Sequence, residues 1–216
     1  MLSFVTVVIV SYLVGSIPTS IIVGKILRGT DFDIRKEGSG NAGGTNVFRV
    51  LGWKPGIFVM AFDALKGFAA TLWISHWQPF GPSHIDESVL PIICGIAAVV
   101  GHIWTIFAGF RGGKGVGTAA GMIVALYPIA ALICFAVFVG VVYLTRYISL
   151  GSMTAATCLP IVLLLGEKIF RQEVPDAMFQ FSLALTVLIF YTHRQNIRRL
   201  LAGTENRFGQ KRNVSA

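Results

Sequence analysis

Three polar islands hold the residues whose types and spacing could do chemistry. The first is Gly38-Ser39-Gly40-Asn41-Ala42-Gly43-Gly44-Thr45-Asn46, followed by Arg49. Glycines dense enough to cost backbone entropy suit a loop whose N–H groups must come close to a ligand, and phosphate is the usual one. Ser39, Asn41, Thr45 and Asn46 add hydroxyls and amides, and Arg49 adds a fork that fits phosphate bidentately. A solvated loop with a Ser or Asn helix cap is the alternative. The second island is Gly101-His102, then Phe110-Arg111-Gly112-Gly113-Lys114-Gly115-Val116-Gly117-Thr118. Gly112, Gly113 and Gly115 flank Lys114 just before an expected helix start, so backbone amides, the helix end and a point charge could hold an anion. A Walker A loop is excluded, because Lys114 is followed by Gly115 and the expected first glycine is Ala108. Nucleotide hydrolysis therefore has no support, and a tight basic turn facing lipid phosphates is the alternative. The third island runs from His193 through Asn196 and Arg199 to Glu205. His193 and Asn196 are three apart and share a helix face. A hydrogen-bonded structural histidine competes there with a catalytic one, and the arginines suit lipid headgroups.

The elements that position these islands are apolar. Of 216 residues, 54% are hydrophobic and 13% charged, against about a quarter charged in soluble domains. This composition predicts an all-α, polytopic membrane helix bundle, with residues 1–216 forming a single domain. Spans are expected at about Leu2–Leu27, Gly56–Trp77, Val89–Phe110, Ile148–Leu165 and Phe179–Thr192, each close to the roughly 20 residues a crossing needs. The run Val116–Leu144 would reach about 43 Å as one helix, too long for one crossing and short for two. Tyr127-Pro128 lies in its middle and predicts a break. The N-terminal run reads as a first span rather than a cleaved signal peptide, because no basic region precedes it.

Basic residues set the orientation. Arg28, Arg35, Lys36, Arg49 and Lys54 follow the first span, Arg111 and Lys114 the third, and Arg194, Arg198, Arg199 and Arg207 the last. Lys211 and Arg212 continue that last set. The loop Gln78–Ser88 has no Lys or Arg and carries Asp86 and Glu87. Positive-inside placement puts the three basic sets in the cytoplasm and the acidic loop outside. The N-terminus is then outside and the C-terminus cytoplasmic, with seven crossings, some short or partial; five satisfy the same parity if two pieces are re-entrant. All three islands fall at the cytoplasmic face. The net charge of +8 is spread over several loops, which fits this topology and anionic lipid better than nucleic acid. Cys94, Cys134 and Cys158 lie in apolar runs without ligand spacing, so neither disulfides nor metal are indicated. Asp63 and Lys66, inside the second span, are costly at that depth and can pair at i,i+3.

Taken together, the islands resemble those of the bacterial acyl-phosphate:glycerol-3-phosphate acyltransferase family. The resemblance covers essentially the whole chain. It runs through Gly15-Ser16-Ile17-Pro18-Thr19-Ser20, the first island to Arg49, Asp63 with Lys66-Gly67, Gly101-His102, Gly112 through Val116, and His193 to Glu205. Two positions depart from the family pattern, which has proline where this chain has Ala42 and Thr105. The resemblance implies transfer of a fatty acyl group from acyl-phosphate to the 1-hydroxyl of glycerol 3-phosphate. The products would be lysophosphatidic acid and inorganic phosphate, at the cytoplasmic face of a bacterial inner membrane. It implies that Ser39, Arg49, Lys114, His193 and Asn196 hold glycerol 3-phosphate, with Lys114, His193 and Asn196 acting in catalysis. Gly112, Gly113, Gly115, Asn41 and Thr45 would hold acyl-phosphate, and Asp63, Lys66, His102 and Glu205 would support the site. No cofactor and no metal are expected; partners are the two substrates, membrane lipid and other phospholipid-synthesis enzymes. The acyltransferase class that pairs His with an Asp five positions on is excluded, since His76, His84, His102 and His193 all lack that aspartate. A small transporter for a phosphorylated solute is the competing class, but it favours inverted repeats and midplane sites, and the chain shows no repeat.

Overall fold

The computed structural model describes residues 1–170 and 173–209. They are helical, with no strand among the described residues. Five helical segments are long and apolar enough to cross a membrane: Leu2–Arg28, Trp53–His76, Leu90–Ala108, Pro128–Thr145 and Ile148–Ile169. Two shorter apolar helices, Val116–Leu126 and Asp176–Thr192, accompany them. The long central run breaks at Tyr127, directly before Pro128, as the sequence predicts. At 11 residues, the helix Val116–Leu126 is about 16 Å long, roughly half a hydrocarbon core. The chain forms two compact units, Met1–Pro128 and a second from Ile129 onward.

In the first unit the leading span is two helices and not one. Helix α1 (Leu2–Ser16) ends at Ile17, held extended (φ −57°, ψ 114°) as a residue before proline prefers, and α2 (Thr19–Arg28) restarts after Pro18. Helix α3 (Gly44–Leu51) packs on α4 (Trp53–Ala69), which continues as a π-turn over Ala70–Ile74. Then come α5 (Leu90–Ile103) and α6 (Val116–Leu126). In a membrane, helices gain from close backbone approach at small residues. Helix α1 packs on α5 in this way, and α4 on α6. A Cβ at Gly67 would overlap the Thr118 carbonyl, and one at Gly121 the Ala64 carbonyl. These glycines bring the second polar loop against α4 at the level of Asp63.

In the second unit, α7 (Pro128–Thr145) is apolar on all faces and exposes Leu132, Phe135, Val139 and Tyr143, as a lipid-facing helix does. Helix α8 (Ile148–Phe170) packs on α9 (Asp176–Thr192). Pro160 sits inside α8 and cannot donate to the Ala156 carbonyl. The Thr186 hydroxyl of α9 lies 2.7 Å from that carbonyl and 2.9 Å from the Ser182 carbonyl of its own helix, so its one proton serves Ala156 at the shorter distance. A short helix, α10 (Arg194–Leu201), follows α9.

Candidate active site

The first island is a folded loop organised by one buried side chain. Asn46, only 1% exposed, accepts the Ser39 N–H on Oδ1 at 2.8 Å and donates from Nδ2 to the Ile34 and Glu37 carbonyls at 3.0 Å. Gly38 and Gly40 take positive φ (60° and 75°), which lets the chain turn tightly around that amide. Gly43 then opens α3, its carbonyl taking the Asn46 and Val47 N–H groups. Arg49, exposed in the last turn of α3, and Ser39, partly exposed, are thus carried on a rigid turn and a helix.

The second island differs from a simple amide cradle. Gly112 N–H donates to the Ile103 carbonyl and Gly113 N–H to the His102 carbonyl, each at 3.0 Å. Those two amides therefore cap the C-terminal end of α5, and an anion on this loop would meet Lys114 and the first turn of α6. Gly115, at φ 84°, supplies the left-handed turn into α6. A Cβ at Gly113 would collide with the His102 ring, so the glycine is fixed by packing as well as by turn geometry. Arg35 ties the two islands together within the unit. It forms a fork with Asp33, 2.8 Å at its shortest, and donates to the Ala108 carbonyl at 2.9 Å. The Arg35 hydrogen bond holds the Asp33 carboxyl below its ordinary value.

Behind both loops lies a small polar cleft. The break from Ser16 to Ser20 forms one wall, Asp63 and Lys66 of α4 another, and His102, Thr105, Gly112, Gly113 and Ala42 close it. Lys66 Nζ donates to Asp63 Oδ1 at 2.7 Å and to the Ile17 carbonyl at 2.6 Å. His102 Nδ1 lies 3.6 Å from the same Asp63 oxygen. The three side chains are 2%, 5% and 8% exposed for Lys66, Asp63 and His102, so the charges neutralise one another instead of meeting water. The Thr105 hydroxyl donates to the Ser16 carbonyl at the end of α1.

The third island is built in the second unit. His193 is at once the C-cap of α9 and the N-cap of α10, so it and Asn196 sit at a helix junction, not on one continuous helix. Both are buried. His193 Nδ1 lies 2.8 Å from the Ile189 carbonyl, which can only accept. Nδ1 therefore carries a proton in this contact. Glu205 accepts from Asn196 Nδ2 at 2.6 Å, Ser149 Oγ at 2.8 Å and Arg199 Nε at 2.7 Å. Burial pushes its carboxyl up, but these donors outweigh it and hold it below the ordinary 4.5. Further along, Phe208 N–H donates to the Arg146 carbonyl, and the Arg207 guanidinium lies over the Tyr147 ring.

Asn41 and Thr45 are partly buried in the first island. Among the described residues, no group of three or more His, Cys, Asp and Glu side chains could hold a metal ion. Sequence reasoning missed two organisers. Arg35 read as one more topology charge, although a Asp33-x-Arg35 spacing permits the fork; Asn46 read as a possible ligand group, although its donors and acceptors are turned into the loop.

Residues 5–203 match the model of the family described as glycerol-3-phosphate acyltransferase. The glycerol-3-phosphate acyltransferase of Chlorobium limicola is 44% identical over 230 residues, covering 96% of this chain and 97% of that one. The one from Chlorobaculum tepidum is 43% identical over 233 residues, covering 98% and 100%. A crystal structure of PlsY (YgiH), an integral membrane glycerol 3-phosphate acyltransferase in its glycerol 3-phosphate form, superposes with a TM-score of 0.82 at 38% identity, covering 96% of both chains. Its lysophosphatidic acid form superposes at 0.79. With five membrane-length helices and likeness along nearly its whole length, this multi-pass membrane enzyme belongs to the glycerol-3-phosphate acyltransferase family.

Proposed function

We propose that the enzyme transfers a fatty acyl group from acyl-phosphate to the 1-hydroxyl of glycerol 3-phosphate, releasing lysophosphatidic acid and inorganic phosphate. The observation that carries this reading is the likeness, over 96% of both chains, to a solved enzyme described in both a glycerol 3-phosphate and a lysophosphatidic acid form. The donor is the one that the family resemblance implies, and its chemistry suits this chain. An acyl-phosphate is already activated, and the chain has no His-x4-Asp pair for activating the acceptor. The acceptor hydroxyl oxygen attacks the acyl carbonyl carbon, the bond from that carbon to the phosphate oxygen breaks, and phosphate leaves. The hydroxyl proton goes either to the departing phosphate or to His193.

Each residue takes a role suited to its setting. Arg49 and Lys114 hold phosphate, Ser39 adds a hydroxyl, and His193 and Asn196 bind the glycerol end of the acceptor. Asn41, Thr45 and the loop Gly112, Gly113 and Gly115 meet the acyl-phosphate, with Lys114 and the start of α6 carrying the charge there. Asp63, Lys66, His102 and Glu205 keep these groups in place. Rate enhancement then comes mainly from orientation and charge stabilisation. The whole chain works as one acyltransferase domain in the bacterial inner membrane, with the reaction at the cytoplasmic face and other phospholipid-synthesis enzymes as partners. The five long and two short apolar helices support seven segments, the N-terminus outside and the C-terminus inside.

Steady-state kinetics with palmitoyl-phosphate as donor test these roles. Arg49→Ala and Lys114→Ala should raise KM for glycerol 3-phosphate by tenfold or more, the loss of a charged contact of about 1.5–3 kcal/mol. Unchanged KM in both would overturn the phosphate assignment. Near-normal kcat in His193→Ala would remove that residue as base and leave the departing phosphate as the acceptor of the proton.

A further inference from the structure

We infer that Lys66, Asp63 and His102 form a buried positioning relay that sets the Lys114 loop from the break in the first span. Its functional consequence rests on the proposed contact between Lys114 and phosphate.

The relay can be followed atom by atom. The break at Pro18 leaves the Ile17 carbonyl at a turn, where Lys66 Nζ donates to it at 2.6 Å. The same ammonium donates to Asp63 Oδ1 at 2.7 Å, and that oxygen faces His102 Nδ1 at 3.6 Å. The far edge of the His102 ring meets the backbone of Gly113, where even a Cβ would not fit beside Nε2. The His102 carbonyl also accepts the Gly113 N–H at 3.0 Å. Lys114 is the next residue. Two rigid links, ring packing and a backbone hydrogen bond, therefore connect His102 to the residue before Lys114.

The chemistry of the chain of contacts argues for position over bulk stability. A buried ion pair is a costly way to hold helices together, since well-packed apolar residues of similar size often do so equally well or better. What the pair supplies is directionality: an ammonium that must point at a specific carbonyl, and a carboxylate oxygen shared between two groups. A shift of α4 along its axis would move Asp63, the His102 ring and the Gly113 backbone together. The cleft these groups line lies behind both polar loops of the first unit and reaches Ala42, beside Asn41.

Segment-resolved hydrogen exchange on the purified full-length enzyme in lipid, combined with kinetics, tests this. In Asp63→Asn, which keeps side-chain shape, and in Lys66→Met, residues 110–117 should exchange at least tenfold faster. Residues 92–100 in α5 should change less than twofold. Wild-type exchange of 110–117 in Asp63→Asn would overturn the relay, and so would equal acceleration in every segment, which marks a merely structural pair. If Lys66→Met does not yield folded protein, Asp63→Asn alone decides. KM for glycerol 3-phosphate separates the two layers. Faster exchange with KM raised tenfold supports both relay and phosphate contact; faster exchange with unchanged KM keeps the relay and overturns the contact.

Discussion

At Pro160 and at Pro18 the chain satisfies the polar groups that a proline frees in two different ways. At Pro160 of α8 the freed Ala156 carbonyl takes a neutral hydroxyl from Thr186. At Pro18 the helix ends outright. The Ser16 carbonyl takes the Thr105 hydroxyl, and the Ile17 carbonyl takes a charged ammonium whose counter-ion, Asp63, must be buried with it. A kink needs only a hydrogen bond, and one threonine is enough. The first span carries a second demand, because its break forms the wall of a polar cleft behind the two polar loops that we propose hold phosphate. The difference teaches that buried charge in this protein lines the polar cleft, while hydroxyls suffice where only the backbone needs a partner.

Substitutions can break that contrast, starting with the charged site. Lys66→Met leaves Asp63 buried without its cation and should cost about 3–5 kcal/mol, read as a lower midpoint of unfolding in detergent. Adding Asp63→Asn to it should recover most of that loss while activity stays low; full recovery of activity would make the pair a mere staple. Thr105→Val removes the donor to the buried Ser16 carbonyl and should cost about 1–3 kcal/mol in the same assay. The smallest effect belongs to the kink. Thr186→Val should cost about 0.6 kcal/mol, the typical size of a hydrogen bond between membrane helices, and leave kcat and KM unchanged. Placing it on a Pro160→Ala background, where the helix amide can serve Ala156, should bring that cost near zero. A large activity loss in Thr186→Val would erase the distinction between the two prolines.

Much of this architecture was legible in the residues. Apolar runs of span length and the break before Pro128 follow from local patterning, and the helix boundary at Tyr127 agrees. Asp63 and Lys66 could be paired from their i,i+3 spacing alone, and they do pair. What could not be read depended on distant partners. Pro18 sits inside a continuous apolar stretch, so the first span read as one helix until the extended Ile17 divided it. The glycines at 112 and 113 looked like amides awaiting an anion, yet their N–H groups serve carbonyls of α5. The end of α5 and this loop are separated by a turn whose path no spacing rule encodes. Asn46 and Arg35 are the same kind of case: their types suggested ligand or lipid, and their partners turned out to be backbone carbonyls and Asp33.

The proposed reaction turns on its donor, and one measurement addresses it directly. Purified enzyme in phospholipid vesicles is given glycerol 3-phosphate with either palmitoyl-phosphate or palmitoyl-CoA, and phosphate release and lysophosphatidic acid are followed together. Palmitoyl-phosphate should give equal amounts of phosphate and lysophosphatidic acid, dependent on glycerol 3-phosphate, and the thioester should give no acyl transfer. Efficient transfer from palmitoyl-CoA with none from palmitoyl-phosphate would contradict the proposed donor.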